Sequence, residues 1–138
     1  MDSSEIKRRL EVFFRRDRPG VAAAWLFGSR ARDTAGPSSD IDVAVLFSRD
    51  PPRTLAAVPS DLLAGLAHEL GAGAPAVDLV VVNHASCDLV HRVLRDGLLV
   101  AEHDRSARVR FETRKRAEYF DLKPFLDRYR RKPPLRAP

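Results

Sequence analysis

The chain has 138 residues, a length that fits one domain with its own hydrophobic core. Hydrophobic residues make up 44% of the sequence and charged residues 31%, which is typical of a folded protein and excludes a disordered one. Residues 1–5 are polar and no apolar run approaches ~20 residues, so we expect neither a secretory signal nor a membrane span. Cys87 stands alone and cannot form an internal disulfide, and we therefore expect a cytoplasmic location.

The formal net charge of +5 is unevenly distributed along the chain. Residues 1–104 contain 12 Lys and Arg against 15 Asp and Glu, whereas residues 105–138 contain 12 against 4. We therefore distinguish a core over residues 1–104 from a basic helical extension of the same domain over residues 105–138. The extension is either a solvated helix face with a tail or a partner-binding surface. No base-reading motif is present, so we expect no specific nucleic-acid partner.

Apolar spacing and turn residues predict alternating helices and strands. The helices are predicted over residues 4–16, 55–70, 86–96 and from 106 to about 130. The strands are predicted over residues 21–27, 41–47, 76–82 and 98–101. Pro124 is expected to kink or interrupt the last helix, whose aromatic and apolar side chains are expected to supply packing contacts. The pattern predicts an α/β (α+β) domain with a small mixed sheet flanked by helices.

Two aspartates separated by one residue open the second predicted strand. Successive strand side chains point to opposite faces, so Asp40 and Asp42 would project on the same side, roughly 6.5–7 Å apart. Such close carboxylates repel each other unless a cation lies between them. Oxygen ligands favour Mg²⁺ or Mn²⁺, with substrate phosphates completing the coordination. A lone Asp-x-Asp is more often a turn or a solvated strand end, but its context here favours a metal site.

That context is a Gly-Ser turn at the end of the first predicted strand. Gly28 would let the backbone approach a ligand closely, and Ser29 could cap the following turn and leave N–H groups facing an anion. Arg32 and Arg30 would add charge-assisted contacts to the same phosphates. Together with the aspartates, the turn predicts a site that binds a nucleotide by its phosphate tail.

Gly28-Ser29, the ten residues 30–39 and then Asp40-Ile41-Asp42 resemble the signature of minimal nucleotidyltransferases of the DNA polymerase β superfamily. The family carries a third carboxylate on a later strand, and Asp78 within the apolar stretch 75–82 fits that position. Because an unpaired carboxylate would be costly to bury there, we interpret Asp78 as a further metal ligand. The resemblance covers residues 20–100 and implies the nucleotidyltransferase fold, in which the Gly-Ser and Asp-x-Asp strands lie side by side.

The resemblance also implies a reaction, in which an acceptor hydroxyl attacks the α-phosphate of a nucleoside triphosphate and pyrophosphate leaves. Asp40 and Asp42 would bridge two Mg²⁺ ions about 3.5–4 Å apart. Asp78 would ligate the metal nearer the acceptor and help remove the acceptor proton. Ser29, with Arg32 assisting, would hold the β- and γ-phosphates.

The C-terminal stretch 118–125 resembles the tail of family members that pair with HEPN toxins. This resemblance implies an antitoxin that transfers AMP from ATP to a tyrosine of a cognate HEPN toxin. Two alternatives stay open at this point. The acceptor could be a small molecule such as an aminoglycoside, or the chain could neutralise a toxin by binding alone.

Overall fold

The computed structural model describes residues 1–16, 18–36, 38–51 and 60–131. The helices are α1 (Ser3–Arg15), α2 (Ser60–Leu70), α3 (Cys87–Asp96) and α4 (Arg105–Arg131). The strands are β1 (Val21–Phe27), β2 (Ile41–Phe47), β3 (Val77–Val81) and β4 (Leu98–Glu102). All four predicted strands are observed within about one residue of their predicted bounds. The predicted beginning of the second helix, at residues 55–59, lies outside the described residues.

The four strands form one mixed sheet in the order β3-β2-β1-β4. Strand β1 is antiparallel to both β2 and β4, whereas β2 and β3 are parallel. The strand that ends in the Gly-Ser turn therefore lies beside the strand that begins after Asp40. These observations confirm the predicted α/β class and the pairing that the family resemblance implied.

Helices cover both faces of the sheet. Alternate residues of the central strands pack on opposite faces, as the period of two requires. On one face, Val43 and Val45 of β2 pack with the apolar stripes of α1 and α2. On the other face, Ala44 and Leu46 pack with α3 and with the first turns of α4. Asp42 lies two residues before Ala44 on β2, so the two side chains point to the same face of the sheet. This is the face that α3 covers.

Helix α4 has the predicted bounds to within about one residue, but it is more exposed than the sequence suggested. It continues through Pro124, so of the two predicted effects of this residue the interruption is wrong, and the kink stays a prediction. Proline removes one backbone donor, but its φ is compatible with a helix and the residues on either side keep helical geometry. Phe111 is buried against the sheet, whereas Phe120, Phe125 and Tyr129 are 64%, 65% and 79% exposed. These three side chains are mostly open to solvent and supply little of the packing that we expected within the chain, although the ring of Phe120 makes an edge-on contact with that of Tyr119.

No helix within residues 1–16, 18–36, 38–51 and 60–131 has the length and apolarity needed to cross a bilayer.

The core between α1 and the sheet should contribute strongly to the stability of the protein. Phe14 is fully buried in it, whereas Val12 on the same helix is exposed. We expect Phe14→Ala to lower the free energy of unfolding by about 3–5 kcal/mol, because it removes buried apolar surface and leaves a cavity. Val12→Ala should change it by less than about 0.5 kcal/mol. Urea denaturation of the two variants makes the comparison, and equal losses would contradict this assignment of the core.

Candidate nucleotide site

The turn after β1 brings backbone into contact with a carboxylate. Gly28 has a φ of +71°, and the amides of Ala31 and Arg32 donate to its carbonyl at 3.1 and 3.2 Å. A Cβ atom at residue 28 would collide with the Asp42 carboxylate. Two features therefore disfavour a side chain at residue 28: its left-handed backbone, and the close approach of the Asp42 carboxylate, which would have to move.

The three predicted acids lie at one end of the sheet. Asp42 is opposite Phe27 in the β1–β2 ladder and opposite Asp78 in the parallel β2–β3 ladder. Residues opposite each other in a ladder share a face, so Asp42 and Asp78 are neighbours on the α3 face. Asp40 immediately precedes β2.

The burial of these acids differs from one to the next. Asp42 is half-buried, whereas Asp40 and Asp78 are exposed. The expectation that Asp78 is embedded in apolar surroundings is wrong, because β3 is an edge strand and leaves that side chain open to solvent. Its proposed role consequently rests on its position beside Asp42 and not on the cost of burial.

Repulsion between carboxylates contributes to the electrostatics of the site. Burial raises the pKa of Asp42 above its ordinary value, and repulsion from Asp78 and then Asp40 raises this pKa further. The guanidinium of Arg32 opposes the shift. Ionised Asp42 is thus held in an unfavourable environment that an added cation would relieve.

The donor set fits a hard cation that substrate phosphates help to bind. In the part of the chain that the structure describes, no group of three His, Cys, Asp or Glu side chains is arranged to bind a metal ion by itself. Mg²⁺ typically takes one or two carboxylates together with substrate phosphates, and does not require an all-protein cage. The predicted metal-binding role of Asp40, Asp42 and Asp78 fits this mode, and it stays a prediction.

A cleft of about 390 Å³ opens beside Asp42, within the roughly 300–1,000 Å³ range of small-molecule sites. Its lining residues come from the end of β1, the Gly-Ser turn, β2 and α3. They are Phe27, Gly28, Ser29, Arg32, Asp42, Leu89, Arg92 and Asp96. Four of these were predicted from the sequence as site residues.

The sequence analysis missed the contribution of α3. Leu89, Arg92 and Asp96 recur at spacings of three and four residues, which places them on one side of the helix. That spacing was visible in the sequence. It could not show that this side of α3 faces the Gly-Ser turn, since this depends on how α3 packs on the sheet.

Arg30, predicted to contact phosphate, has other partners in the structure. It is only 4% exposed, and its Nε and Nη2 atoms donate to the Ser39 carbonyl at 3.3 and 3.0 Å. Its Nη1 atom donates to the Met1 carbonyl at 3.3 Å. Arg30 does not line the cleft, so it supports the segment before Asp40, and its phosphate contact stays an untested prediction.

Comparison with known proteins decides the family. The family model described as "Polymerase beta, Nucleotidyltransferase" matches residues 9–106. The chain belongs to this nucleotidyltransferase family. Curated protein sequences give no match.

Solved structures resemble this nucleotidyltransferase over most of its length. A chain from a toxin–antitoxin structure with AMP-PNP is 25% identical, with a TM-score of 0.63, and the match covers 89% of this chain and 97% of that one. A minimal nucleotidyltransferase is 31% identical with a TM-score of 0.56, covering 71% and 95%. The predicted recognition of a minimal nucleotidyltransferase is confirmed.

A third structure shares the fold at lower identity. It is a complex of a tri-AMPylated Shewanella oneidensis HEPN toxin with an MNT antitoxin. The matching chain is 23% identical with a TM-score of 0.58, covering 92% of this nucleotidyltransferase and 98% of that chain.

The double restriction at residue 28 leads to a prediction with a matched control. Gly73 also has a positive φ, +82°, but a Cβ there would meet nothing within 4 Å. Gly28→Ala and Gly73→Ala should each cost about 1–2 kcal/mol of stability from backbone strain. Only Gly28→Ala should displace the Asp42 carboxylate and weaken binding of a non-hydrolysable ATP analogue with Mg²⁺, by roughly tenfold or more. Calorimetry measures both variants, and equal nucleotide affinities would refute the importance of the close approach.

The raised pKa of Asp42 predicts how stability depends on pH in metal-free protein. Because the native state binds this proton more tightly than the unfolded state, the wild type loses stability as pH rises from about 3.8 through the raised pKa. Asp42→Asn removes the charge, so we expect it to raise the free energy of unfolding at pH 7 by less than about 1 kcal/mol, as the site is partly exposed. The gain should vanish at pH 3. Chemical denaturation in EDTA tests this, with the exposed Asp121→Asn as a control that should show no gain.

Proposed function

We propose that this nucleotidyltransferase transfers AMP from ATP to a tyrosine hydroxyl of a cognate HEPN-type toxin and thereby neutralises the toxin. The observation that carries the proposal is the packing of the Gly28 turn against Asp42, with Asp78 beside Asp42 on the next strand. Two similar structures support the choice of nucleotide and acceptor, since one is described with AMP-PNP and another as a complex with an AMPylated HEPN toxin. We also propose a cytoplasmic location, in line with the free Cys87 thiol.

The first task of the site is to hold the triphosphate. Ser29 and the backbone of its turn line the cleft together with Arg32, and can donate to the β- and γ-phosphates. Asp40 and Asp42, with Asp78 adding a ligand, would hold two Mg²⁺ ions, for which Mn²⁺ can substitute. Bound Mg²⁺ supplies charge neutralisation at the phosphates and stabilises the attacking and leaving oxygens. Most of the rate acceleration then comes from positioning and electrostatics.

The second task is to accept a proton from the acceptor. The tyrosine oxygen attacks the α-phosphorus in line, a new P–O bond forms, and the bond to the β-phosphate oxygen breaks with pyrophosphate as leaving group. The hydroxyl proton passes to the Asp78 carboxylate. Asp78 suits this role because it is exposed on an edge strand, where a side chain of another protein can reach it.

The basic extension is the part of the chain that we propose contacts the toxin. The second half of α4 exposes Phe120, Phe125 and Tyr129 among several Arg and Lys side chains. Exposed aromatic residues within a charged surface are typical of protein interfaces. The same surface favours the second candidate function, neutralisation by binding alone.

Mass spectrometry of the toxin separates transfer from binding. The test protein is a HEPN-type toxin, to be sought in the reading frames beside the gene for this chain, and it is incubated with ATP, Mg²⁺ and either wild type or Asp78→Asn. We expect wild type to add AMP to a tyrosine, and Asp78→Asn to bind ATP normally but transfer it about 10²–10⁴-fold more slowly, because proton transfer is impaired. Asp61→Asn, an exposed position on α2 across the sheet from α3, should transfer at the wild-type rate.

Two outcomes would reject the proposed reaction. If wild type adds no AMP and both proteins neutralise the toxin equally, neutralisation occurs by binding. If wild type adds nucleotide to a small molecule such as an aminoglycoside and not to the toxin, the acceptor is a small molecule.

A further inference from the structure

Helix α3 forms the wall of the cleft that faces the Gly-Ser turn. The helix is fixed at both ends, since Ser86 accepts a hydrogen bond from the Leu89 amide at 3.2 Å and the Gly97 amide donates to Val93 at 2.7 Å. Val90 and Val93 are buried against the sheet. Side chains on the cleft side of α3 therefore extend from a rigid support.

Arg92 is a cation on this wall whose guanidinium has no ion pair or hydrogen bond within residues 1–16, 18–36, 38–51 and 60–131. Asp96, one turn further on, is already bonded to Arg95, which donates through Nε at 3.0 Å and Nη2 at 2.8 Å. This pairing holds the pKa of Asp96 below its ordinary value, so its charge is matched by Arg95. Arg92 therefore borders the cleft without an ion-pair partner of its own among the described residues.

A second guanidinium borders the same space from the opposite side. Arg32 lies on the turn side of the cleft, close enough to Asp42 and Asp96 to influence the pKa of each. Two arginines from separate elements therefore meet the Ser29 turn around one cavity. An oligophosphate is the anion that suits this arrangement. Each planar guanidinium group can donate two parallel hydrogen bonds to phosphate oxygens, and the turn contributes further N–H donors.

We propose that Arg92 binds the β- and γ-phosphates of the nucleoside triphosphate from α3, opposite Ser29 and Arg32. This inference rests on the proposed function, which supplies the nucleotide. Arg92 adds a phosphate contact from α3 that the sequence analysis did not predict. Its contribution is to hold the phosphates that leave as pyrophosphate, so its contact forms with ATP and not with AMP.

Calorimetry on the full chain with Mg²⁺ tests this assignment with three variants and two ligands. Arg92→Gln should weaken binding of a non-hydrolysable ATP analogue by about tenfold and leave the affinity for AMP unchanged, because only the β- and γ-phosphates lose a charged partner. Arg92→Lys should recover part of the loss, since it keeps the charge without the paired donors. The control is Arg105→Gln, which removes the same charge at the opposite end of β1 and should bind both ligands like wild type. The exposed position of Arg92 predicts an unchanged thermal midpoint in all three variants.

Each other outcome overturns the assignment in a distinguishable way. Wild-type affinity for the ATP analogue in Arg92→Gln removes Arg92 from the phosphate site and leaves the proposed function intact. Equal losses for AMP and the analogue place the contact at the nucleoside or α-phosphate. An unchanged affinity for the analogue with a raised KM for the toxin assigns Arg92 to the acceptor. A wild-type chain that binds no triphosphate overturns both the assignment and the proposed function.

Discussion

The contact between the Gly28 backbone and the Asp42 carboxylate is the constraint on which the site depends. It joins the end of β1 to the beginning of β2 and fixes a phosphate-binding turn next to an acidic side chain. Groups that bind an anion and groups that attract a cation are thereby held side by side. A substrate that carries phosphates and a cation together satisfies both, and neither ligand alone would do so as well.

The sheet makes this contact possible by separating its two faces. Every second residue of β2, such as Val43 and Val45, packs into the core with α1 and α2. Asp42 and its neighbour Asp78 lie on the opposite face, which α3 covers. The central position of β2 accounts for the partial burial of Asp42, and the edge position of β3 accounts for the exposure of Asp78. One carboxylate is thus placed inside the cleft and another where a second macromolecule can reach it. Strand order alone gives the two acids different environments.

The sequence predicted those features that depend on local pattern. Strand bounds followed from apolar runs such as Val21–Phe27, and the Gly28, Ser29 and Asp42 arrangement followed from spacing and family resemblance. What it missed depended on tertiary packing. Arg30 is followed within two residues by Arg32 and has the same chemistry, yet one is buried on backbone carbonyls and the other lines the cleft. The exposure of Asp78 depended on strand order, and the contribution of Arg92 depended on the orientation of α3.

The two restrictions on residue 28 have different origins. The residue found at this position in a relative would therefore indicate whether the site is still in use. The positive φ belongs to the turn and would persist whatever the site did, but asparagine tolerates it. The collision with Asp42 exists only while a carboxylate occupies the beginning of β2. A descendant of this chain that kept the fold but abandoned chemistry would be free to lose Asp42 first and then to accept asparagine at position 28. Retention of glycine and aspartate together in a lineage would indicate selection on this site, whereas loss of both would indicate that the site is no longer used.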